Sequence, residues 1–301
     1  MIIYYDNGAH PLLRTHFIRS GVQYTTIYRN RTAQLADRIS RHMLRPRSLM
    51  YNRPACSEDD DKVICFDTYT NADYLRWICR HYPRKRVILW YWNPVEDIAK
   101  LDMMPRKVEI WSYSRKDCIR YGLKYNTTFY FDDLGRQALD LPETTRTGRR
   151  VLFIGRDKGR EEVLHRLQEE LESAGAETEF HIMRNNEKKD TASGREHLMD
   201  YDEIVERVRN ADILLDYSRD PDAGLSLRAM EALFWQKKLI TNNRSVKDSM
   251  FYKTNNIYLL GEDKRTLRDF LELPQVPVEK EIKQQYLLSS WLKRFDEAGI
   301  R

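Results

Sequence analysis

The stretch ADILLDYSRDPDAGLSLRAMEALFWQKKLITNN, residues 211–243, decides the fold class of this chain. Two short apolar runs, Ile213–Leu215 and Leu239–Thr241, predict buried strands. Between them, Gly224 precedes a helical pattern that continues to about Trp235. A strand, a glycine loop, a helix and a second strand in this order predict a βαβ unit, whose two strands are parallel.

The turn Gly224–Ser226 opens the predicted helix, and the first backbone N–H groups of a helix have no partner inside it. Together with the positive end of the helix dipole, these groups attract an anion. Glu231 follows about two helical turns later and is able to accept hydrogen bonds from two hydroxyl groups. We therefore expect this element to bind a phosphate and a polyhydroxyl group that are joined in one ligand.

The same residues carry a resemblance to a known family. GLSLRAMEAL (224–233) with KKLITNN (237–243) resembles the donor-binding segment of GT-B glycosyltransferases from bacterial lipopolysaccharide and capsule pathways. VLFIGRDKGR (151–160) resembles the first strand and loop of the same half, and YDEIVERVRNADILLDY (201–217) also fits. The similarity covers residues 150–245 well and the amino-terminal half loosely. It implies an α/β fold in which two Rossmann-like, doubly wound domains face each other across a cleft, and a metal-independent glycosyltransferase.

The alternation of strands and helices along the chain also predicts doubly wound α/β sheets. With 301 residues, the chain suits two domains. An acceptor-side domain is expected over 1–132 and a donor-binding domain over 151–277. Residues 133–150 show no apolar periodicity and predict a linker, and residues 278–301 predict a terminal helix that, as the resemblance implies, crosses back towards the first domain.

The expected donor substrate is a nucleotide diphosphate sugar, UDP- or GDP-linked, and no cofactor is predicted. Arg156 and Lys158 follow the first strand of the donor domain and supply cations for the diphosphate, as the resemblance also implies; a solvated basic turn is the alternative. Arg228 either pairs with Glu231 or reaches a phosphate. Arg160 is expected at the surface. The predicted donor site consists of Gly155, Arg156, Lys158, Gly224, Leu225, Ser226, Arg228 and Glu231.

The catalytic candidates are His10 and Asp222. His10 follows the first strand and is a candidate general base, although a lone loop histidine is more often incidental. Retaining GT-B enzymes have two glutamates separated by seven residues, and the first would fall on Ala223 here. Asp222 lies one residue out of register, which leaves the stereochemistry open. The acceptor-side candidates follow strands of the first domain and are Asn7, Gly8, Asp67, Trp92 and Asn93.

The net charge of +5 is unevenly distributed, because residues 1–145 hold 23 Lys and Arg against 17 Asp and Glu. The arginine-rich segment 29–53 predicts contact with an anionic membrane surface, which would give access to a lipid-linked or oligosaccharide acceptor; a solvated helix face is the alternative. Nucleic acid is a third option, disfavoured because no recognition module is visible, and no nucleic-acid partner is predicted. Without a membrane-spanning run or a secretory signal, the protein is expected in the cytoplasm, peripheral on the inner membrane face.

Three functions follow from these patterns. The leading one is a glycosyltransferase that moves a sugar from a nucleotide sugar to a lipid-linked glycan in cell-envelope polysaccharide synthesis. The alternative is a catalytically silent nucleotide- or glycan-binding subunit with the same fold, which the missing first glutamate favours. An NAD-dependent Rossmann enzyme is disfavoured because neither sheet begins with GxGxxG. No metal-ligand pattern is visible, and the four cysteines contain no CxxC pair.

Overall fold

The structure is a computed structural model that describes residues 2–4, 11–29, 32–33, 35–36, 51–52, 61–67, 70–96, 98–142, 147–183 and 199–297. The chain divides into two compact units. The first unit is Met1–Thr127 with Arg294–Arg301, and the second is Thr128–Lys293. Each contains one parallel sheet, so the predicted α/β class with two doubly wound sheets is confirmed.

The first unit is built on a six-stranded parallel sheet in the order β2-β1-β3-β4-β5-β6. All five residues of β3 are buried, as expected for a central parallel strand that is covered on both faces. The strands are β1 (Ile2–Tyr4), β2 (Gln23–Thr25), β3 (Lys62–Phe66), β4 (Arg86–Tyr91), β5 (Val108–Ser112) and β6 (Lys124–Tyr125). The helices whose bounds lie among the described residues are α1 (Pro11–Arg19), α2 (Ala72–His81), α3 (Ile98–Asp102) and α4 (Arg115–Tyr121).

The second unit is built on a five-stranded parallel sheet in the order β11-β10-β9-β7-β8. The chain direction across the sheet reverses between β7 and β9, which makes this pair its topological switch point. The strands are β7 (Arg150–Arg156), β8 (Glu177–Met183), β9 (Ile213–Asp216), β10 (Lys238–Thr241) and β11 (Ile257–Leu259). The helices are α5 (Asp132–Leu139), α6 (Glu161–Ser173), α7 (Tyr201–Asn210), α8 (Leu227–Phe234), a 3-10 helix (Arg244–Asp248), α9 (Leu267–Glu272), α10 (Lys280–Gln285) and α11 (Leu288–Glu297). The last residues of α11, from Arg294 onwards, belong to the first unit.

The bounds of the predicted linker 133–150 stay a prediction, but part of this stretch is helical. Its first half forms α5, whose Leu134 and Ala138 are buried one helical turn apart. This apolar face is too short to give a clear periodicity in the sequence. It is sufficient to stabilise α5 in the folded protein, where the helix packs against α8.

The predicted terminal helix is divided into α10 and α11. The backbone of Tyr130 accounts for the break, because its N–H donates to the Tyr286 carbonyl at 2.7 Å and its carbonyl accepts from the Leu288 N–H at 2.8 Å. A chain segment distant in sequence thus takes hydrogen bonds that a continuous helix would have used itself. No helix in the described part of the chain is long and apolar enough to cross a membrane.

A charged cluster within the first unit connects Asp296 to the first sheet. Arg86 donates to both carboxylate oxygens of Glu109, at 2.7 and 3.1 Å, and to Asp296 at 2.9 Å. Lys124 donates to Glu109 at 2.9 Å. Burial raises the pKa of Glu109, but the hydrogen bonds from Arg86 and Lys124 outweigh it and lower the pKa to about 2.

Glu109→Gln tests this cluster through the pH dependence of stability. A carboxyl group whose pKa is lower in the folded protein stabilises above its unfolded pKa, near 4.5, and loses that contribution as the pH falls towards 2. We expect the free energy of unfolding of the wild type to fall by on the order of 3 kcal/mol more than that of Glu109→Gln over this range. Urea titrations at several pH values measure the difference. Exposed Glu169→Gln is the control, and an identical acid dependence of both variants would contradict the expectation.

Candidate active site

Two of the predicted donor residues, Arg156 and Ser226, lie at the switch point of the second sheet. Arg156 is the last residue of β7, and Asp216 is the last residue of the neighbouring strand β9. The helix α8 begins ten residues after Asp216 at its N-cap Ser226. Because ligands of open parallel sheets bind beyond the carboxyl ends of strands at the switch point, this edge is the candidate site.

The loop that enters α8 leaves its backbone N–H groups available. None of the described residues accepts a hydrogen bond from the N–H of Gly224, Leu225 or Ser226. The carbonyls of the same loop are engaged, since Asn243 donates to the Gly224 carbonyl at 2.9 Å and the Thr128 hydroxyl donates to the Leu225 carbonyl. Gly224 and Leu225 are buried, and buried N–H groups without an acceptor are rare. The loop therefore presents donors where an anion would complete their hydrogen bonding.

Ser226 connects this loop to the strand edge. Its hydroxyl accepts from the Ala229 N–H at 3.0 Å, which caps α8, and donates to Asp216 at 2.7 Å. Burial raises the pKa of Asp216, opposed by the Ser226 hydrogen bond and by the charges of Arg228 and Arg160. Asp216 is not among the predicted site residues, because the apolar pattern shows it only as the polar residue that follows Leu215. Its position at the carboxyl edge of a parallel sheet was the signal that marks it as a site residue.

Two arginines stand at the end of β7 and in the loop that follows it. Arg156 is exposed, and no described side chain forms an ion pair or hydrogen bond with its guanidinium. Arg160 was expected at the surface but is half-buried over the Phe153 ring, and its buried Nε has no hydrogen-bond partner among the described residues. Burial lowers the pKa of Arg160, opposed by the charges of Asp216 and Asp157. Sequence patterns do not show this burial because Phe153 reaches Arg160 only in the folded sheet.

The turn between these arginines is held in a left-handed conformation. Lys158 has a φ of 50° and Gly159 a φ of 77°. Asp157 secures the turn by accepting from the N–H groups of Arg160 at 2.8 Å and Glu161 at 2.6 Å. Gly155, at the end of β7, could not carry a side chain without crowding the Phe153 ring, whose nearest atom would lie 3.1 Å from an added Cβ.

Glu231 lies inside the unit, with 2% of its surface exposed. One carboxylate oxygen accepts from the Tyr201 hydroxyl at 2.9 Å, and the other accepts from Arg228. Arg228 also donates to the Ile154 carbonyl at 3.1 Å. Burial raises the pKa of Glu231, opposed by the charge of Arg228. Of the two roles predicted for Arg228, the structure shows the ion pair with Glu231. Ribose binding by Glu231 stays a prediction.

Asp222, the second catalytic candidate, forms an ion pair with Arg244. The guanidinium donates to both carboxylate oxygens at 2.7 Å, and each side chain is more than two-fifths exposed. A solvated pair of this kind contributes little to stability and occupies the carboxylate. The catalytic role of Asp222 therefore stays a prediction, and the structure gives it no additional support.

Three acceptor-side candidates meet in the first unit. Asp67, after β3, accepts from the backbone N–H of Trp92 at 2.9 Å and from the Asn93 side chain at 2.9 Å. Trp92 packs against Phe66 with ring centroids 5.6 Å apart. The other candidates, Asn7, Gly8 and His10, lie outside the described residues, as does most of the segment 29–53. Within the described ranges, no group of three or more His, Cys, Asp and Glu could hold a metal ion.

Comparison with known proteins gives similarity in structure alone. No protein-family model matches the sequence, and no curated protein matches it. One similar structure is an alpha-glucosyltransferase in complex with UDP and a 13-mer DNA containing a central A:G mismatch, with 10% identity, a TM-score of 0.43, and coverage of 98% of this chain and 89% of that chain. Another is an alpha-glucosyltransferase in complex with UDP and a 13-mer DNA containing a HMU base, with 12% identity, a TM-score of 0.47, and coverage of 95% and 89%.

These comparisons correct one prediction. The exclusion of nucleic acid as a partner was wrong, because both similar structures are complexes with DNA. The absence of a recognition module in the sequence was an insufficient reason, since a shaped cationic surface binds phosphodiesters without one. What those two proteins bind is a property of those proteins, and we base the function of this chain on its own residues.

A double-mutant cycle tests the buried pair. We expect Arg228→Met and Glu231→Leu each to lower the free energy of unfolding by about 3 kcal/mol, because each leaves an uncompensated buried charge. The double variant should lose at least about 1 kcal/mol less than the sum of the two. Urea denaturation measures all four proteins. The exposed pair Arg244→Met and Asp222→Leu is the matched control, with losses below about 1 kcal/mol; additive losses at Arg228 and Glu231 would refute the coupling.

Proposed function

We propose that this chain is a glycosyltransferase that takes its sugar from a nucleoside diphosphate sugar, without a cofactor or metal ion. The observation that carries this proposal is the run of N–H groups from Gly224 to Ser226 that no described residue accepts, at the switch point of a parallel sheet. Arg156 ends the neighbouring strand β7, Arg160 lies in the loop after it, and both offer guanidinium donors at the same edge. This combination suits a diphosphate better than a single carboxylate, because it offers several donors and more than one positive charge.

The chemistry that such a site supports is glycosyl transfer. An acceptor hydroxyl loses its proton to a base and bonds to the anomeric carbon, while the bond from that carbon to the diphosphate oxygen breaks. The electron pair of the broken bond stays on the diphosphate, whose negative charge increases in the transition state. Positive groups fixed beside the diphosphate therefore lower the barrier as well as strengthen binding. In this proposal Arg156, Arg160 and the amino end of α8 perform that role.

The acceptor has two candidate classes. The resemblance implies a lipid-linked glycan of cell-envelope polysaccharide synthesis, whereas the molecule present beside UDP in both similar structures is DNA. Each class contains hydroxyl groups able to attack a sugar. We place acceptor binding at the cluster of Asp67, Trp92 and Asn93, where an aromatic ring stands beside a carboxylate and an amide.

Nucleotide binding tests the donor site. We expect UDP or GDP to raise the melting temperature more than UMP or GMP, because the second phosphate adds contacts with the loop donors. Arg156→Gln should weaken diphosphate binding roughly 10- to 100-fold, the effect of losing a charged hydrogen bond, and leave monophosphate binding less affected. Isothermal titration measures both. Arg166→Gln, which changes an exposed arginine on α6, is the control; equal weakening in both variants would argue against a diphosphate site at Arg156.

A silent binding subunit is the second candidate, and a specific observation favours it. The carboxylates that were predicted to act on the donor already have partners in the protein. Glu231 accepts hydrogen bonds from Arg228 and Tyr201, and Asp222 accepts one from Arg244. Slow hydrolysis of the donor separates the candidates. For a glycosyltransferase we expect free sugar to accumulate from UDP- or GDP-linked sugars with the purified wild type, and Arg156→Gln to reduce its rate. Nucleotide binding with no hydrolysis and no transfer to either acceptor class would favour the silent subunit.

A further inference from the structure

The two units carry charges of opposite sign. The first holds 24 Lys and Arg against 15 Asp and Glu, a formal charge of +9. The second holds 27 against 31, a formal charge of −4. A protein that binds only a nucleotide sugar needs cations in its donor unit, so the excess in the first unit calls for a separate explanation.

Part of that excess lies on α4. Arg115, Lys116 and Arg120 are exposed on this helix. Its acidic residue Asp117 is 6% exposed and faces inwards, where it accepts from the Val95 N–H at 2.9 Å. The outer side of α4 therefore presents three cations and no anion. Lys124 of the adjacent strand β6 is also exposed and pairs with Glu109.

The two arginines of α4 are held by aromatic rings. The Arg115 guanidinium lies 4.2 Å from the Tyr125 ring centroid, and that of Arg120 lies 5.2 Å from the Tyr121 ring centroid. Neither forms an ion pair with a described carboxylate. Stacking on a ring restricts a guanidinium without neutralising its charge, and its N–H groups stay available at the edge for a phosphate.

This surface continues to the predicted acceptor residues. The hydrogen bond from the Val95 N–H to Asp117 joins α4 to the loop that carries Trp92 and Asn93. The helix also begins directly after the carboxyl end of β5, the same sheet edge at which Asp67 follows β3. An extended anionic molecule bound along α4 would therefore reach Asp67, Trp92 and Asn93 without leaving the first unit.

We propose that the α4–β6 surface, defined by Arg115, Lys116, Arg120 and Lys124, binds the phosphodiester backbone of a nucleic acid. As a statement about the acceptor class it rests on the proposed function. A lipid surface fits less well, because a helix that lies in a membrane needs an apolar face and the exposed apolar residue of α4 is Ile119. Lys124 has a second explanation, because a lysine on an edge strand discourages that strand from pairing with another chain. This explanation does not apply to the cations of α4.

Salt-dependent binding of DNA tests the surface. The probe is a fluorescein-labelled oligonucleotide of mixed sequence, as a single strand and as a duplex, measured by fluorescence anisotropy. The wild type should bind with an affinity that falls steeply with salt, and Arg115→Gln/Arg120→Gln should reduce the slope of log K against log salt for the duplex by about 2. Arg115→Lys/Arg120→Lys should keep the wild-type slope, because it retains both charges.

The matched control is Arg84→Gln/Arg106→Gln, which removes two exposed arginines of the same unit in the turns before β4 and β5. It should bind as the wild type does. Equal salt slopes for Arg115→Gln/Arg120→Gln and Arg84→Gln/Arg106→Gln would overturn the proposal. Binding of the wild type to phosphatidylglycerol vesicles but not to DNA would also overturn it. The UDP-induced melting shift is recorded for each variant. A missing shift in the wild type would reject the proposed donor site. The anisotropy measurement would still test whether the α4–β6 surface binds DNA.

Discussion

The arrangement of the candidate site depends on one buried ion pair. Glu231 is charged only at a considerable desolvation cost, and Arg228 and Tyr201 offset that cost by contacting both of its oxygens. Since Arg228 also donates to the Ile154 carbonyl of β7, and Tyr201 begins α7, the pair joins α8 to two other elements. This fixes the rotation and depth of α8 in the unit, and thereby the place at which its amino end emerges.

The available N–H groups follow from that placement. Thr128 and Asn243 hold the carbonyls of Leu225 and Gly224, and Ser226 connects the cap of α8 to Asp216. The peptide groups of the loop are therefore oriented before any ligand arrives. Preorganised donors do not need to reorient when charge develops on a bound group, which is why such an arrangement suits catalysis as well as binding.

The two units differ in how their charged residues are distributed. In the second unit the carboxylates outnumber the cations, so its net charge is negative. Its switch point nevertheless offers local positive groups. In the first, the charge is positive overall and the inward Asp117 leaves the outer side of α4 without an anion. Local geometry decides binding at a small site, whereas the summed charge of a surface matters for a long polyanion.

Sequence alone determined those features that depend on short-range pattern. Apolar runs identified the strands β9 and β10, and the residues Gly224–Ser226 identified the start of α8, because periodicity and helix starts are local properties. The resemblance likewise depended on contiguous motifs. It placed Arg156 in the loop after a strand, whereas the structure makes Arg156 the last residue of β7.

Only the tertiary structure decided which partners the polar groups have. Nothing local reveals that Tyr201 reaches Glu231, that Arg160 is half-buried over Phe153, or that Tyr130 divides the terminal helix. Each of these contacts joins residues whose proximity arises from sheet order and helix packing. Burial and hydrogen bonding set the charge and orientation of a side chain, so the character of the site emerged only when the fold brought these residues together.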